Sequence, residues 1–308
     1  MKILISPSSF GQCGDKPIRM LEERGFEVII NPYGRKLTEE ETIELGKNCL
    51  GIVAGVENYN CKVLGELSSL RVISRVGVGI DAIDLECAKE KEIIIRNTPD
   101  GPTRAVAELT LALVMNLLRK VSLSDRRIRN GVWKKEIGNL IQNKVVGIIG
   151  LGRIGKAVAE IFKALGAKIT AYDLYPDYDW AKAEDVNLVD MNTLLTKSDI
   201  ITLHLPRTEK PLFTIKEFEL MKDSAYLINI ARGGVVDEEA LFNALNKGLI
   251  KGAAVDVFMK EPYDGKLKEL DNVILTPHLG SYACESKLQM EIDAVINLLE
   301  EFNYKGGK

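Results

Sequence analysis

The chain has 308 residues, a hydrophobic share of 46% and a formal net charge of −3. That length exceeds one ordinary α/β domain and suits two, with enough apolar residues for sizeable cores. Scattered Lys and Arg in a slightly acidic chain exclude a basic nucleic-acid or acidic-membrane footprint, and no apolar stretch reaches the roughly 18 residues of a membrane span.

The apolar start Met1–Ser6 is too short for a signal peptide and reads as a first strand. Strands are expected at 2–5, 27–30, 51–54, 72–74 and 93–96, with helices at 18–24, 39–48, 61–67 and 84–89 between them. This alternation predicts a parallel sheet covered by helices on both faces. Two prolines and a glycine in Asn97-Thr98-Pro99-Asp100-Gly101-Pro102 break the pattern and mark a boundary. Thr103 is expected to cap a helix whose apolar stripe is Val106, Leu109, Leu113, Val114, Leu117 and Leu118. Residues 123–143, including Trp133, read as a polar arm or surface connection. A second series follows, with strands at 145–149, 168–172, 199–203, 225–230, 252–257 and 273–275. Its helices are expected at 154–165, 191–196, 214–220 and 238–245. A long amphipathic helix over 285–302 is expected to return to the first domain, ahead of a tail ending Gly-Gly-Lys.

The five cysteines, Cys13, Cys49, Cys61, Cys87 and Cys284, are odd in number and contain no C-x-x-C pair. They read as buried or free thiols of a reducing compartment, with no zinc spacing and no metal site, and the protein as cytoplasmic. Nothing in the sequence activates Cys284. Trp133 and Trp180 read as packing or arm residues.

Gly150-Leu151-Gly152-Arg153-Ile154-Gly155 joins an almost wholly apolar strand to a helix. In that context the first glycine permits a tight turn, the second a close approach to a pyrophosphate, and the third close packing of helix on strand. Helix N-terminal N–H groups favour the anion. Asp173 lies 18 residues beyond Gly155, just after the next strand. A carboxylate there accepts from ribose hydroxyls and repels a 2′-phosphate, and Leu174-Tyr175-Pro176 brings no compensating Arg, so NAD is favoured over NADP.

The two histidines, His204 and His278, stand at or just beyond strand ends, as do Arg232 and Glu261. Such ends are where α/β sheets place their sites. His204 reads as structural or cofactor-adjacent.

Taken together, these residues resemble the D-2-hydroxyacid dehydrogenase family, the group that contains 3-phosphoglycerate dehydrogenase. The resemblance covers nearly the whole chain. It rests on Val76-Gly77-Val78-Gly79-Ile80-Asp81, Val106-Ala107-Glu108, the glycine loop, His204-Leu205-Pro206, Ala231-Arg232-Gly233-Gly234, Asp256 with Glu261-Pro262, and Thr276-Pro277-His278-Leu279-Gly280. It implies His278 as the acid/base that exchanges the hydroxyl proton, with Glu261 as its carboxylate partner. Arg232 would hold the substrate carboxylate, helped by backbone amides at Val78 and Gly79. Asp256 would contact the nicotinamide carboxamide. Leu205 and Pro206 would line the adenosine side of the groove, with Ala231 nearby. The resemblance further implies direct hydride transfer to or from C2 of a 2-hydroxy or 2-keto acid, and a homodimer built by the cofactor domain and its arm.

The implied fold is two doubly wound α/β domains. A flavodoxin-like substrate domain spans 1–98 with 282–308, a Rossmann NAD-binding domain spans 99–281, and the active site lies in the cleft between them. The chain ends after the long helix, so the regulatory domain of some phosphoglycerate dehydrogenases is expected to be absent. Glu57, in the loop after the third strand, would oppose a phosphate and so argues against 3-phosphoglycerate, although Arg75 could supply positive charge. Glu261 beside His278 argues against formate dehydrogenase, where the resemblance would put a Gln. The alternative reading is a corepressor-like protein that senses NAD(H) on the same fold.

Overall fold

Ile3, Leu4 and Ile5 are all wholly buried, and they alternate between two cores. Leu4 packs with Val63, Leu64 and Ala88, while Ile3 and Ile5 pack with Leu21, Ala294 and Leu298. A strand buried on both faces is the mark of a parallel sheet covered by helices, and the period of two sets which residue serves which core.

The computed structural model describes residues 1–303. The expected tail ending Gly306-Gly307-Lys308 lies outside the described residues. Two compact units are formed, one from Met1–Pro102 with the described part of Ser281–Lys308, the other from Thr103–Gly280.

In the first unit β1 (Lys2–Ile5), β2 (Glu27–Ile30), β3 (Cys49–Ala54), β4 (Val72–Arg75) and β5 (Ile94–Asn97) alternate with α1 (Lys16–Glu22), α2 (Glu39–Gly46), α3 (Cys61–Glu66) and α4 (Leu85–Glu90). The strands run parallel in the order β2-β1-β3-β4-β5. Side chains cap the helices where the sequence supplies them. Thr38 and Glu41 form a capping box on α2, and Asn60 and Asp84 accept from Val63 N and Cys87 N. The helix Cys284–Asn303 returns to this unit and packs on α1, β3, β4 and β5.

One expectation is corrected here. Cys61 and Cys87 are joined in a disulfide, with Cα atoms 5.5 Å apart, so they are not free thiols. α3 and α4 lie side by side, which brings the start of one against the first turn of the other. Cys13, Cys49 and Cys284 carry free thiols.

The second unit opens with α5 (Thr103–Arg119) and α6 (Val121–Arg129). Its sheet contains β6 (Val145–Ile149), β7 (Lys168–Tyr172), β8 (Asn187–Leu188), β9 (Ile200–Leu203), β10 (Tyr226–Asn229), β11 (Gly252–Val255) and β12 (Val273–Leu275). Between them run α7 (Arg153–Ala164), α8 (Tyr178–Ala183), α9 (Met191–Lys197), α10 (Ile215–Leu220) and α11 (Glu238–Asn246), and the helix that ends the described chain is α12 (Cys284–Asn303). The parallel order β12-β11-β10-β9-β6-β7-β8 reverses between β6 and β9. Two crossovers leave that point in opposite directions and open a crevice beyond the strand carboxyl ends, where such sheets bind ligands.

Two local expectations fail in this unit. Thr103 is the first residue of α5, not its cap, and its Oγ1 is buried without a hydrogen-bond partner. Residues 121–129, read partly as arm, form α6, steadied by Asn116 Oδ1 accepting from Ser122 N at 2.8 Å and by the Asp125–Arg129 ion pair. α6 buries no residue, so it offered no apolar stripe to find. Among the described residues no helix is long and apolar enough to cross a membrane.

Candidate active site

The glycine loop sits at the switch point. Gly150 has φ +94°, a left-handed conformation that suits glycine. A Cβ on Gly155 would run into the Gly150 carbonyl. Loop and first turn of α7 therefore pack without side chains between them. Gly152 is the N-cap of α7, no side chain caps it, and a Cβ there would meet nothing within 4 Å. Arg153 and Ile154 open the helix. An uncapped N-terminus facing open space, floored by glycine, fits a pyrophosphate.

Asp173 follows β7. Its Oδ2 accepts from Leu151 N at 2.6 Å and its Oδ1 from Tyr175 N at 2.8 Å. The carboxylate is thus fixed against the glycine loop, with lone pairs to spare for further donors. Leu174 and Tyr175 beyond it are exposed, at 75% and 91%.

His204 stands just past β9, with Nε2 2.9 Å from Thr202 Oγ1 and Nδ1 enclosed without a partner. Burial pushes it down to about 3, so it is neutral near pH 7 and is no proton carrier there. Leu205 and Pro206 follow, Leu205 packed on the core of that face. The backbone at His204 closes on the loop, since a Cβ on Gly150 would strike the His204 carbonyl.

The remaining candidates form a chain of contacts. His278 lies beyond β12 with φ +57°, and its Nδ1 is 3.0 Å from Glu261 Oε2. Glu261 Oε1 accepts from Phe258 N at 3.1 Å, so the carboxylate is anchored in its own turn. A Cβ on Gly233 would run into the Phe258 carbonyl. The turn carrying Ala231 and Arg232 after β10 is thereby pressed directly onto the turn carrying Glu261. Ala231 is buried, while Arg232 is half-buried and donates from Nη1 to the Ala231 carbonyl at 2.8 Å. The structure thus brings the turns of Arg232, Glu261 and His278 together within one unit.

Asp256 was expected at the carboxamide, but its carboxylate is wholly buried. Oδ1 accepts from Thr276 Oγ1 at 2.5 Å and from Leu279 N at 2.8 Å, and Oδ2 accepts from Gly280 N at 2.9 Å. Burial pushes the carboxyl up, against the pull of those donors and of His278. It brackets the loop on both sides of His278. That clamp, with Thr276 in it, escaped sequence reasoning. Its signal was a buried acid one strand away from a Thr-Pro-His segment.

Val78 and Gly79 belong to the first unit, in the loop after β4. Asn97 Nδ2 donates to the Val78 carbonyl at 2.7 Å and Gly77 N donates to Thr98 Oγ1 at 2.6 Å, so residues at the end of β5 hold the loop. Glu57 is not a surface acid near a ligand. It is buried at 1% exposure, accepting from Ser6 Oγ at 2.5 Å and from Gly55 N at 2.9 Å. Its expected opposition to a substrate phosphate is therefore withdrawn. Arg75 is half-buried and donates to the Val76 carbonyl. Among the described residues no group of three or more His, Cys, Asp or Glu side chains is placed to hold a metal.

Residues 111–280 match the family model for the D-isomer specific 2-hydroxyacid dehydrogenase NAD binding domain. The chain is 37% identical to a D-3-phosphoglycerate dehydrogenase of Archaeoglobus fulgidus over 94% of its own length and 55% of that protein's. It is 36% identical to a glyoxylate reductase of Korarchaeum cryptofilum, covering 91% of this chain and 90% of that one. Among solved structures it resembles a Thermus thermophilus protein with a TM-score of 0.90 at 33% identity, over 97% of this chain and 96% of that one. The chain spans about half the length of the phosphoglycerate dehydrogenases it matches.

Proposed function

We propose, from the premise that this chain belongs to the D-isomer specific 2-hydroxyacid dehydrogenase family, that it is an NAD-dependent oxidoreductase interconverting a D-2-hydroxy acid and its 2-keto acid. The observation that carries this reading is the His278–Glu261 pair, joined through Phe258 to the turn of Arg232.

When bound, NAD supplies or takes the hydride at nicotinamide C4. The chain's own residues do the rest. The glycine loop and the open end of α7 receive the pyrophosphate, and Asp173 receives the adenosine ribose hydroxyls. Leu205, Pro206 and Ala231 border the cofactor. Glu261 holds His278 through Nδ1, which leaves Nε2 to exchange the substrate's hydroxyl proton. Arg232 takes the substrate carboxylate with its planar fork, and the amides of Val78 and Gly79 add donors. Asp256 acts at one remove, fixing the loop that carries His278. The substrate domain is assigned to 1–98 with 282–308 and the cofactor domain to 99–281.

The relatives are named for phosphoglycerate, glyoxylate and hydroxypyruvate, and with Glu57 turned inward, phosphorylated acids stay within the substrate class. Their names are those of enzymes, which supports turnover over an NAD(H)-sensing scaffold. The reading includes a cytoplasmic homodimer. Val132, Trp133, Ile137 and Leu140 stand exposed in the arm after α6, an apolar row that favours a second copy as its cover.

The test is NADH oxidation against glyoxylate, hydroxypyruvate, phosphohydroxypyruvate and larger 2-keto acids. Turnover of at least one is expected. Flat traces across the panel, with NADH still bound, would favour the sensing alternative.

A further inference from the structure

The loop that follows β1 is fastened to the first turns of α12. Gly11 N donates to Glu291 Oε2 at 3.1 Å, and Lys287 Nζ donates to the Ser9 carbonyl. A Cβ on Gly14 would stand 3.3 Å from Leu288 Cδ1. Leu288 lies one helical turn beyond Cys284 on the same face of α12, and Gly14 directly follows Cys13. The two cysteines therefore share one junction. Cys284 is exposed and Cys13 half-buried, while the third free thiol, Cys49, is buried. Burial pushes Cys49 up to about 11, which leaves it inert near neutral pH.

We propose that Cys13 and Cys284 form a second thiol–disulfide site of this unit, closing to a disulfide on reaction with a small organic disulfide such as oxidised glutathione. In the first step one protein sulfur attacks the S–S bond of the small disulfide as thiolate. A mixed disulfide forms and one small thiol leaves. In the second step the other cysteine of the pair gives its proton to solvent and attacks the protein sulfur of the mixed disulfide, and the second small thiol departs. The protein dithiol is oxidised by two electrons and the small disulfide is reduced to two thiols.

The bond clamps the β1 loop to α12. The same turns of α12 also hold the chain near its first crossover, since Ser286 Oγ donates to the Gly101 carbonyl. A disulfide here therefore restrains the β1 loop at the place where the 97–102 segment is tied down. It depends on no assignment of activity or cofactor.

The test incubates the folded protein with oxidised glutathione, blocks remaining thiols, and maps peptides without reduction. A peptide pair linking 13 to 284 is expected, two hydrogens lighter than the sum of its parts. Tm should rise by about 5 °C over the untreated protein. Cys13→Ser and Cys284→Ser should each show neither link nor rise, their remaining thiol carrying glutathione or the blocking group. Wild-type protein with Cys13 and Cys284 separately blocked or separately glutathionylated would overturn the proposal. A 13–284 link with no rise in Tm would overturn its clamping role.

Discussion

His278 Nδ1 stands 3.0 Å from Glu261 Oε2, and the other Glu261 oxygen is held by Phe258 N. An imidazole tied at one nitrogen presents the other in a fixed direction, which is what proton exchange with a substrate hydroxyl requires. Replacing Glu261 tests whether charge or tethering matters more. Glu261→Gln keeps a hydrogen-bond partner and loses the charge, so kcat should fall about tenfold. Glu261→Ala loses both, and about 10²-fold is expected. NADH affinity, followed by fluorescence titration, should stay unchanged in each. Equal kcat for the two variants would make the tether irrelevant.

Arg232 serves the account through the shape of its guanidinium. Lys carries the same charge but not the planar fork. Arg232→Lys should lower kcat/KM for the 2-keto acid by about 10²-fold, corresponding to about 2.7 kcal/mol of transition-state stabilisation. Steady-state kinetics with the best substrate measures this. A loss of less than threefold would remove Arg232 from the carboxylate.

Asp173 is engaged on two sides, holding Leu151 N now and ribose hydroxyls in the proposed complex. Asp173→Ala should weaken NADH binding about tenfold, equivalent to about 1.4 kcal/mol. NADPH should bind no worse than before, because the repelling charge has gone. Unchanged NADH affinity would sink the assignment.

Stability should depend on His204. Burial holds its folded pKa down at about 3 against an ordinary value of 6.5. Below pH 6.5 the unfolded chain binds a proton there and the folded chain does not, so unfolding is favoured increasingly as pH falls from 6.5 toward 3. At pH 5 the loss is on the order of 1–2 kcal/mol. Urea unfolding at pH 7 and pH 5 should show that loss in the wild type and a smaller one in His204→Gln. Identical pH dependence would mean that the ring is hydrated in solution.

The strands were legible because the parallel sheets bury both faces, which writes continuous apolar runs such as Val145–Ile149 into the sequence. His278, Glu261 and Arg232 were legible as a set because each follows a strand end, and chemistry-bearing residues there converge at a crevice. Their linkage was not, since it passes through backbone atoms of Phe258 and Gly233 that carry no identity signal. α6 was missed because it buries nothing. Glu57 was misread because a lone acid after a strand looks solvated, and only the fold shows Ser6 Oγ and Gly55 N waiting for it. The Cys61–Cys87 pair needed the adjacency of α3 and α4, which spacing along the chain does not disclose.

The most direct test follows the hydride itself. The protein is given NADH deuterated at the transferred C4 position and the 2-keto acid it turns over best, and the product is analysed by mass spectrometry and chiral chromatography. The account predicts a D-2-hydroxy acid carrying one deuterium at C2, formed about 10²–10⁴-fold more slowly by His278→Ala. An unlabelled product, an L product, or equal rates with and without His278 would contradict it.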